Sequence, residues 1–91
     1  MSKIEILSYY TYILQSEKDD SFYIGYTANL EQRLLKHNTS KSGYTARKKP
    51  WKLVYCEVFN SKTEAIKREL SLKKMKHKDL YKKLIEDFNY K

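Results

Sequence analysis

The sequence predicts an α+β fold with three strands and about three helices, in the order β-β-α-β-α-α. Two tyrosine-rich runs at residues 9–15 and 21–26 alternate like half-buried strands and are separated by a short polar turn. A third run rich in β-forming residues follows at 51–59. Other segments carry apolar residues three or four positions apart, which is typical of amphipathic helices.

The length and composition bound the class of protein. The chain has 91 residues, of which 41% are hydrophobic and 33% charged, enough for one domain with one modest core. We expect a single domain over residues 1–91. No apolar run is long enough to span a bilayer, and no signal peptide is recognisable near Met1. The lone Cys56, expected in the core, excludes an internal disulfide, so a cytoplasmic protein without a disulfide partner is expected.

The positive charge is concentrated in the second half of the chain. The net charge is +8, yet residues 1–40 carry four Lys/Arg against five Asp/Glu. Residues 41–91 carry fifteen Lys/Arg against six Asp/Glu. Such a basic half attracts polyanions and predicts a nucleic-acid partner. The alternative is a lysine-rich surface that only keeps the protein soluble.

The first two strands are predicted to form an antiparallel hairpin, because the connection at residues 16–20 is short and polar. If Tyr12 pairs opposite Tyr23, both hydroxyls emerge on one face of the sheet. Gly25 stands near the end of the second strand. A glycine there permits a close backbone approach, and we expect a substrate to use it.

The first helix is expected to begin at Asn29, with Gln32 in the capping-box position, and to run for about ten residues. Its inward stripe holds three residues at helical spacing, namely Leu30, Leu34 and His37. Arg33 and His37 are four residues apart and therefore neighbours. Both should flank the buried stripe.

Residues 38–50 are polar and basic, and are predicted to form a loop that Pro50 ends. A loop of this composition can contact phosphates, or can be only a solvated segment. The residues expected to contact nucleic acid here are Lys41, Thr45, Arg47, Lys48 and Lys49.

The third strand is predicted over Trp51 to Phe59. Simple alternation places one set of side chains on one face, namely Leu53, Tyr55 and Glu57. The other face would hold Val54, Cys56 and Val58. Both faces are largely apolar, which predicts a strand covered on both sides.

A capping box, Ser61 to Glu64, predicts the start of the second long helix. At about 100° per residue its apolar arc contains Ala65, Ile66, Leu70 and Leu72. Glu69 falls inside this arc. A carboxylate there must be paired, protonated or bound to a cation, because burying it bare is too costly.

The last helix is expected at about 77–90. Its apolar stripe is spaced by four, with Leu80, Leu84 and Phe88. His77 is expected to cap this helix or to lie on the surface.

Five side chains could carry hydrolytic chemistry: Tyr12, Tyr23, Arg33, His37 and Glu69. Glu69 suits a hard cation such as Mg²⁺, which often takes one or two carboxylates together with waters and substrate phosphates. Arg33 could hold a phosphate, and a tyrosine near positive charge could orient or deprotonate a water. Together they fit metal-assisted hydrolysis of a phosphodiester.

Each of these residues also has a structural interpretation. The tyrosines could be ordinary sheet residues, and Arg33 could pair with Glu31. His37 could be a buried, hydrogen-bonded histidine. Glu69 could form an internal salt bridge, for which Arg33 is a candidate partner.

The motifs resemble those of GIY-YIG nucleases, especially the small single-domain bacterial members. The second motif is complete as Tyr23-Ile24-Gly25, and the first reads Tyr10-Thr11-Tyr12, with Tyr10 in place of its glycine. The family's arginine, histidine and metal-binding glutamate match Arg33, His37 and Glu69. The run Tyr44-Thr45-Ala46-Arg47 before Pro50-Trp51-Lys52-Leu53-Val54-Tyr55 also matches. The resemblance covers a core of about residues 8–76.

The resemblance implies a three-stranded antiparallel sheet with flanking helices. It implies a Mg²⁺- or Mn²⁺-dependent DNA endonuclease that is structure-directed or weakly specific, with Tyr12 favoured as the base. DNA is the expected partner, and branched or damaged DNA, as met in repair or recombination, is one candidate substrate. One alternative is a nucleic-acid-binding module that has the fold but little or no turnover. Another is a protein-interaction domain that uses the basic half.

Overall fold

The structure, a computed structural model, describes residues 8–75 and 78–89. In chain order its elements are β1 (Tyr9–Ser16), β2 (Phe22–Thr27), α1 (Leu30–Thr39), α2 (Tyr44–Lys48), β3 (Trp51–Phe59), α3 (Lys62–Lys74) and α4 (Lys78–Asn89). The strands form one antiparallel sheet in the order β2-β1-β3. The predicted α+β class is therefore confirmed, with four helices where about three were expected. None of the helices in the described ranges is long and apolar enough to cross a membrane.

The hairpin of β1 and β2 has a register two residues away from the expected one. Tyr12 pairs with Gly25, and Leu14 pairs with Tyr23. The backbone N–H of Ser16 donates to the carbonyl of Ser21 over 2.8 Å, which closes the turn and sets this register. Because the difference is an even number of residues, Tyr12 and Tyr23 still share one face of the sheet.

The pairing of β1 with β3 contains a β-bulge. Ile13 pairs with Tyr55 and Leu14 pairs with Leu53, so Val54 is the extra residue. A bulge of this kind interrupts simple alternation. Leu53 and Tyr55 therefore lie on opposite faces, and the prediction that they share one was wrong.

The sheet is covered on both faces, as the apolar pattern of β3 predicts. On one face α3 and α4 enclose a core of Ile13, Ile24, Val54, Leu72 and Tyr81. On the other face Leu30 and Leu34 of α1 pack against a second core of Tyr12, Leu14 and Trp51. The second core lies under the polar residues of the predicted site.

Both predicted helix starts are confirmed. The Asn29 side chain accepts a hydrogen bond from the backbone N–H of Gln32, and the Ser61 hydroxyl accepts one from Glu64. Each cap satisfies a backbone donor that the first helical turn leaves unpaired. In α3 the expected apolar arc is too wide, because Leu70 is 52% exposed.

The short helix α2 lies in the segment that was predicted as a loop. It begins after Gly43, whose φ of 89° favours glycine, and it has no side-chain cap. Residues outside the helix hold it instead: the Trp51 indole N–H donates to the carbonyl of Thr45, and the Ser16 hydroxyl, from β1, donates to that of Lys48. Neither contact leaves a local signal, so the sequence pattern could not show this helix.

The helix α4 is confirmed, but its packed face differs from the expected stripe. Leu80 is 45% exposed, and the neighbouring Tyr81 is buried in its place. The Tyr81 hydroxyl donates to the carbonyls of Leu72 and Met75 at the end of α3. These bonds turn the tyrosine inward. His77 lies outside the described residues.

Candidate active site

The side chain of Tyr12 lies across the backbone of Gly25. A Cβ added at Gly25 would stand 2.6 Å from the Tyr12 hydroxyl oxygen, closer than real contacts allow. Tyr12 therefore packs closely on the backbone at this glycine. Gly25 lies inside β2 and is buried, so its contact with nucleic acid stays a prediction.

Helix α1 delivers His37 to the same place. His37 is 7% exposed, and its Nε2 lies 3.2 Å from the Tyr12 hydroxyl oxygen. The ring of Tyr23 meets His37 edge-on, with centroids 4.7 Å apart, and lies 6.5 Å from the ring of Tyr12. Three of the five predicted residues thus form one aromatic cluster, because each is on the α1 side of the sheet.

The surroundings of Tyr12 and His37 determine their protonation. Burial raises the pKa of Tyr12, assisted by Tyr23 and Glu69, while the Arg33 guanidinium acts in the opposite direction. Burial, followed by the charges of Arg33 and Lys36, lowers the pKa of His37. At neutral pH Tyr12 is therefore a phenol beside a neutral imidazole that can accept a proton.

Arg33 is half-buried beside this cluster and borders a cleft of about 340 Å³. Tyr23, His37 and Thr45 line the same cleft. Lys36 lines it as well, one turn of helix after Arg33. Lys36 was not among the site residues predicted from the sequence, although its spacing from Arg33 places the two side by side on α1.

Glu69 is only 14% exposed, and its carboxylate lies 2.7 Å from the ammonium of Lys73 on the next turn of α3. Of the three states expected of a carboxylate in this arc, namely paired, protonated or bound to a cation, the structure has the paired one. The suggested partner Arg33 was wrong, because a lysine four residues later reaches the carboxylate within the same helix. Glu69 also contributes to the raised pKa of Tyr12, which relates this carboxylate to the aromatic cluster.

Glu69 fits a hard divalent cation held mainly by water and substrate. A closed zinc-like site needs a group of three or more His, Cys, Asp or Glu side chains. No such group that could hold a metal ion occurs in residues 8–75 and 78–89. One partly enclosed carboxylate suits Mg²⁺ or Mn²⁺, since Mg²⁺ keeps several waters and shares its coordination with phosphates.

The predicted phosphate-contacting residues of the basic segment differ in their surroundings. Lys48 donates to Asp19 at 2.6 Å and to Ser21 at 3.0 Å. Lys49 donates to the carbonyl of Ser40 at 2.9 Å. Of the rest, Thr45 lines the cleft, whereas Lys41 and Arg47 are exposed.

Comparison with known proteins finds relatives of one family. The family model described as the GIY-YIG catalytic domain matches residues 8–83. A UPF0213 protein of Staphylococcus haemolyticus is 47% identical over 66 residues, which cover 71% of this chain and 79% of that protein. One from Bacillus licheniformis is 44% identical over 77 residues, 84% of this chain and 78% of the relative.

A solved structure is also similar. The solution NMR structure of a UPF0213 protein from Bacillus halodurans has a TM-score of 0.52 and 32% identity, over 84% of this chain and 81% of that one. The motif residues, the sheet order and these matches agree. The chain therefore belongs to the GIY-YIG family, among the small bacterial UPF0213 proteins.

Proposed function

We propose that this protein is a divalent-metal-dependent endonuclease that hydrolyses phosphodiester bonds in DNA and is structure-directed or weakly specific. The observation that supports this most is the gathering of Tyr12, Tyr23, Arg33 and His37 on one face of the sheet, with Glu69 acting on the same phenol. These are the residue types that phosphodiester hydrolysis needs: a proton acceptor, a cation for the phosphate and a carboxylate for a metal.

In this proposal Arg33 binds the scissile phosphate and stabilises the negative charge that develops on it. The guanidinium borders the cleft of about 340 Å³, which is open to a substrate. Glu69 would hold Mg²⁺ or Mn²⁺, which when bound would polarise the phosphate and lower the pKa of a coordinated water.

Tyr12 and His37 would serve as the proton-accepting pair. The hydroxyl oxygen and Nε2 are 3.2 Å apart, so the phenol can pass its proton to the neutral imidazole as it takes one from the attacking water. This keeps Tyr12 as the base and makes His37 the group that allows it to act despite its raised pKa. Tyr23 packs edge-on against His37 and orients it.

A second candidate function is a nucleic-acid-binding module with little turnover. The observation in its favour is that Tyr12 is only 1% exposed, so its hydroxyl is enclosed by Gly25 and His37. Such a module would bind DNA in a salt-dependent way and would keep that binding after Glu69 is replaced.

The test compares nicking of supercoiled and branched DNA by the wild type and by Glu69→Ala, with Mg²⁺ or Mn²⁺ present. We expect the wild type to nick and Glu69→Ala to lose nicking. Glu64→Ala is the matched control, because Glu64 is exposed on the same helix and lines a different cleft. Equal nicking by wild type and Glu69→Ala would refute the catalytic proposal, and salt-dependent binding without nicking by either would support the second function.

A further inference from the structure

We propose that three adjoining clefts form one path for a DNA strand across the site, with Lys36, Lys62 and Lys73 as its phosphate contacts. The proposal rests on the endonuclease function and names the residues that would hold its substrate. None of the three lysines belongs to the basic segment 41–49, in which Lys48 and Lys49 already bond to this chain.

The clefts share walls. The central cleft is the one of about 340 Å³ that Tyr23 and Arg33 line. A second cleft of about 370 Å³, called here the Lys73 cleft, also has Tyr23 in its wall. A third of about 330 Å³, the Lys62 cleft, also has Arg33 in its wall. The central cleft therefore lies between the other two, with the proposed catalytic residues at both junctions.

The two outer lysines lie on one face of α3. Lys62 and Lys73 are eleven residues apart, which at about 100° per residue leaves them within roughly 20° of each other around the helix. Glu69 lies within about 20° of Lys62 on the same side. At 1.5 Å per residue the two lysines are separated by about 16 Å along the axis, the length of about five nucleotides of one duplex strand.

The charge of this path suits a polyanion. The residues that line the central, Lys62 and Lys73 clefts include Arg33 and the three lysines, but no carboxylate. Two other clefts in the described part of the chain do contain acidic residues, Glu31 in one and Glu64 in the other. Positive walls that converge on Arg33 would attract and guide a phosphate backbone.

Lys73 also has the exposure that such a contact requires. Its side chain is 52% exposed although it pairs with Glu69. An ion pair on a helix surface is weak in water, so the ammonium can exchange the carboxylate for a phosphate. Lys36 and Lys62 are exposed as well.

The test measures binding of a short fluorescein-labelled duplex by anisotropy at several salt concentrations, with EDTA present to prevent cutting. One variant combines Lys36→Ala, Lys62→Ala and Lys73→Ala. The control combines Lys67→Ala, Lys74→Ala and Lys82→Ala, three exposed lysines that line none of the three clefts. Lys67 and Lys74 lie about 140° and 120° around α3 from Lys62, so the two variants differ in position and not in charge.

Each lost phosphate contact lowers the slope of log K against log salt by about 0.9. We expect the cleft variant to lose two to three such contacts and the control to lose none. Between about 50 and 200 mM salt the affinity of the wild type would then fall about 12- to 40-fold more than that of the cleft variant. Arginine at all three positions should restore the wild-type slope, and thermal unfolding should show that both alanine variants fold.

The proposal is overturned if both triple variants change the slope equally, because only total charge would then matter. It is also overturned if the wild type shows no salt-dependent binding. The nicking assay separates this result from the proposed function. If the protein binds DNA through the three lysines but does not cut it, the endonuclease proposal is refuted and the proposed DNA path is retained. If the protein cuts DNA but the two triple variants have the same salt slope, the DNA path is refuted and the endonuclease proposal is retained.

Discussion

The phenol of Tyr12 and the backbone of Gly25 occupy directly paired positions of neighbouring strands, and the ring lies over the glycine. A Cβ at Gly25 would stand 2.6 Å from the hydroxyl oxygen and 2.8 Å from the ring carbon that carries it. The tyrosine of the first motif and the glycine of the second thus form one packing unit. Glycine is required at this position because it has no side chain. Its backbone freedom is not the reason, since its φ is not in the left-handed region.

Gly25→Ala is expected to destabilise the fold by about 1–3 kcal/mol, the usual cost of overpacking a buried site. Urea denaturation measures this free energy of unfolding. The control is Tyr12→Leu combined with Gly25→Ala, because removing the aromatic ring relieves the clash. A double variant as unstable as the sum of the single variants would contradict the packing argument.

Arg33→Lys is expected to lower kcat of nicking by about 10²–10³-fold, because the guanidinium contributes paired donors to charge that develops in the transition state. Arg68→Lys is the control. Arg68 pairs with Glu57 at 2.7 Å and lines a different cleft, so its replacement should leave kcat unchanged. Similar kcat values for wild type and Arg33→Lys would show that Arg33 does not contact the phosphate.

The lowered pKa of His37 predicts a pH dependence of stability. Because the folded state binds the His37 proton less readily than the unfolded state, its contribution to stability is full above the unfolded pKa of about 6.5. It is lost as the pH falls below 6.5 and through the lower folded pKa. Unfolding free energies of wild type and His37→Gln should therefore diverge at neutral pH and converge in acid. If the unfolding free energies of the two proteins change in parallel with pH, the lowered pKa of His37 is contradicted.

Nicking should depend on the same group. The proposed proton acceptor is neutral His37, so kcat should fall in acid with an apparent pKa below 6.5. The residual kcat of His37→Gln should not show this fall in acid. If the variant shows the same fall in kcat as the wild type, the proton transfer belongs to another group.

Binding of Mn²⁺ is expected to depend on Glu69 and to be opposed by Lys73. The ammonium of Lys73 is 2.7 Å from the carboxylate, so a cation must displace it. Calorimetry should show no binding to Glu69→Gln and tighter binding to Lys73→Met than to wild type. Lys74→Met removes the same charge one residue further along α3 and controls for net charge. Equal affinities of the two lysine variants would rule out competition at Glu69.

Tyr81→Phe should destabilise the protein by about 1–3 kcal/mol, because the Tyr81 hydroxyl donates to the carbonyls of Leu72 and Met75. Thermal and urea unfolding measure the loss, and DNA nicking should change little at temperatures where the variant is folded. The control is Tyr10→Phe, since Tyr10 is half-buried in β1 and belongs to neither core cluster. Equal stability of the two variants would show that these bonds contribute nothing.

Interactions within a few residues could be predicted from the pattern. The caps at Asn29 and Ser61 and the inward face of α1 all depend on neighbours three or four positions away. Such distances are set by helix geometry alone. The family motifs also follow from residue order, which is why the candidate site could be named before the fold was known.

The sequence by itself thus determined the three strands, the three longer helices, the family and the five candidate site residues. Only the tertiary structure decided the register that places Tyr12 over Gly25, the bulge at Val54, the helix α2 and the lysines that line the clefts. Each of these depends on contacts between residues far apart in the chain, such as Ser16 with Lys48. Local propensity does not contain those contacts, because packing of the whole chain creates them.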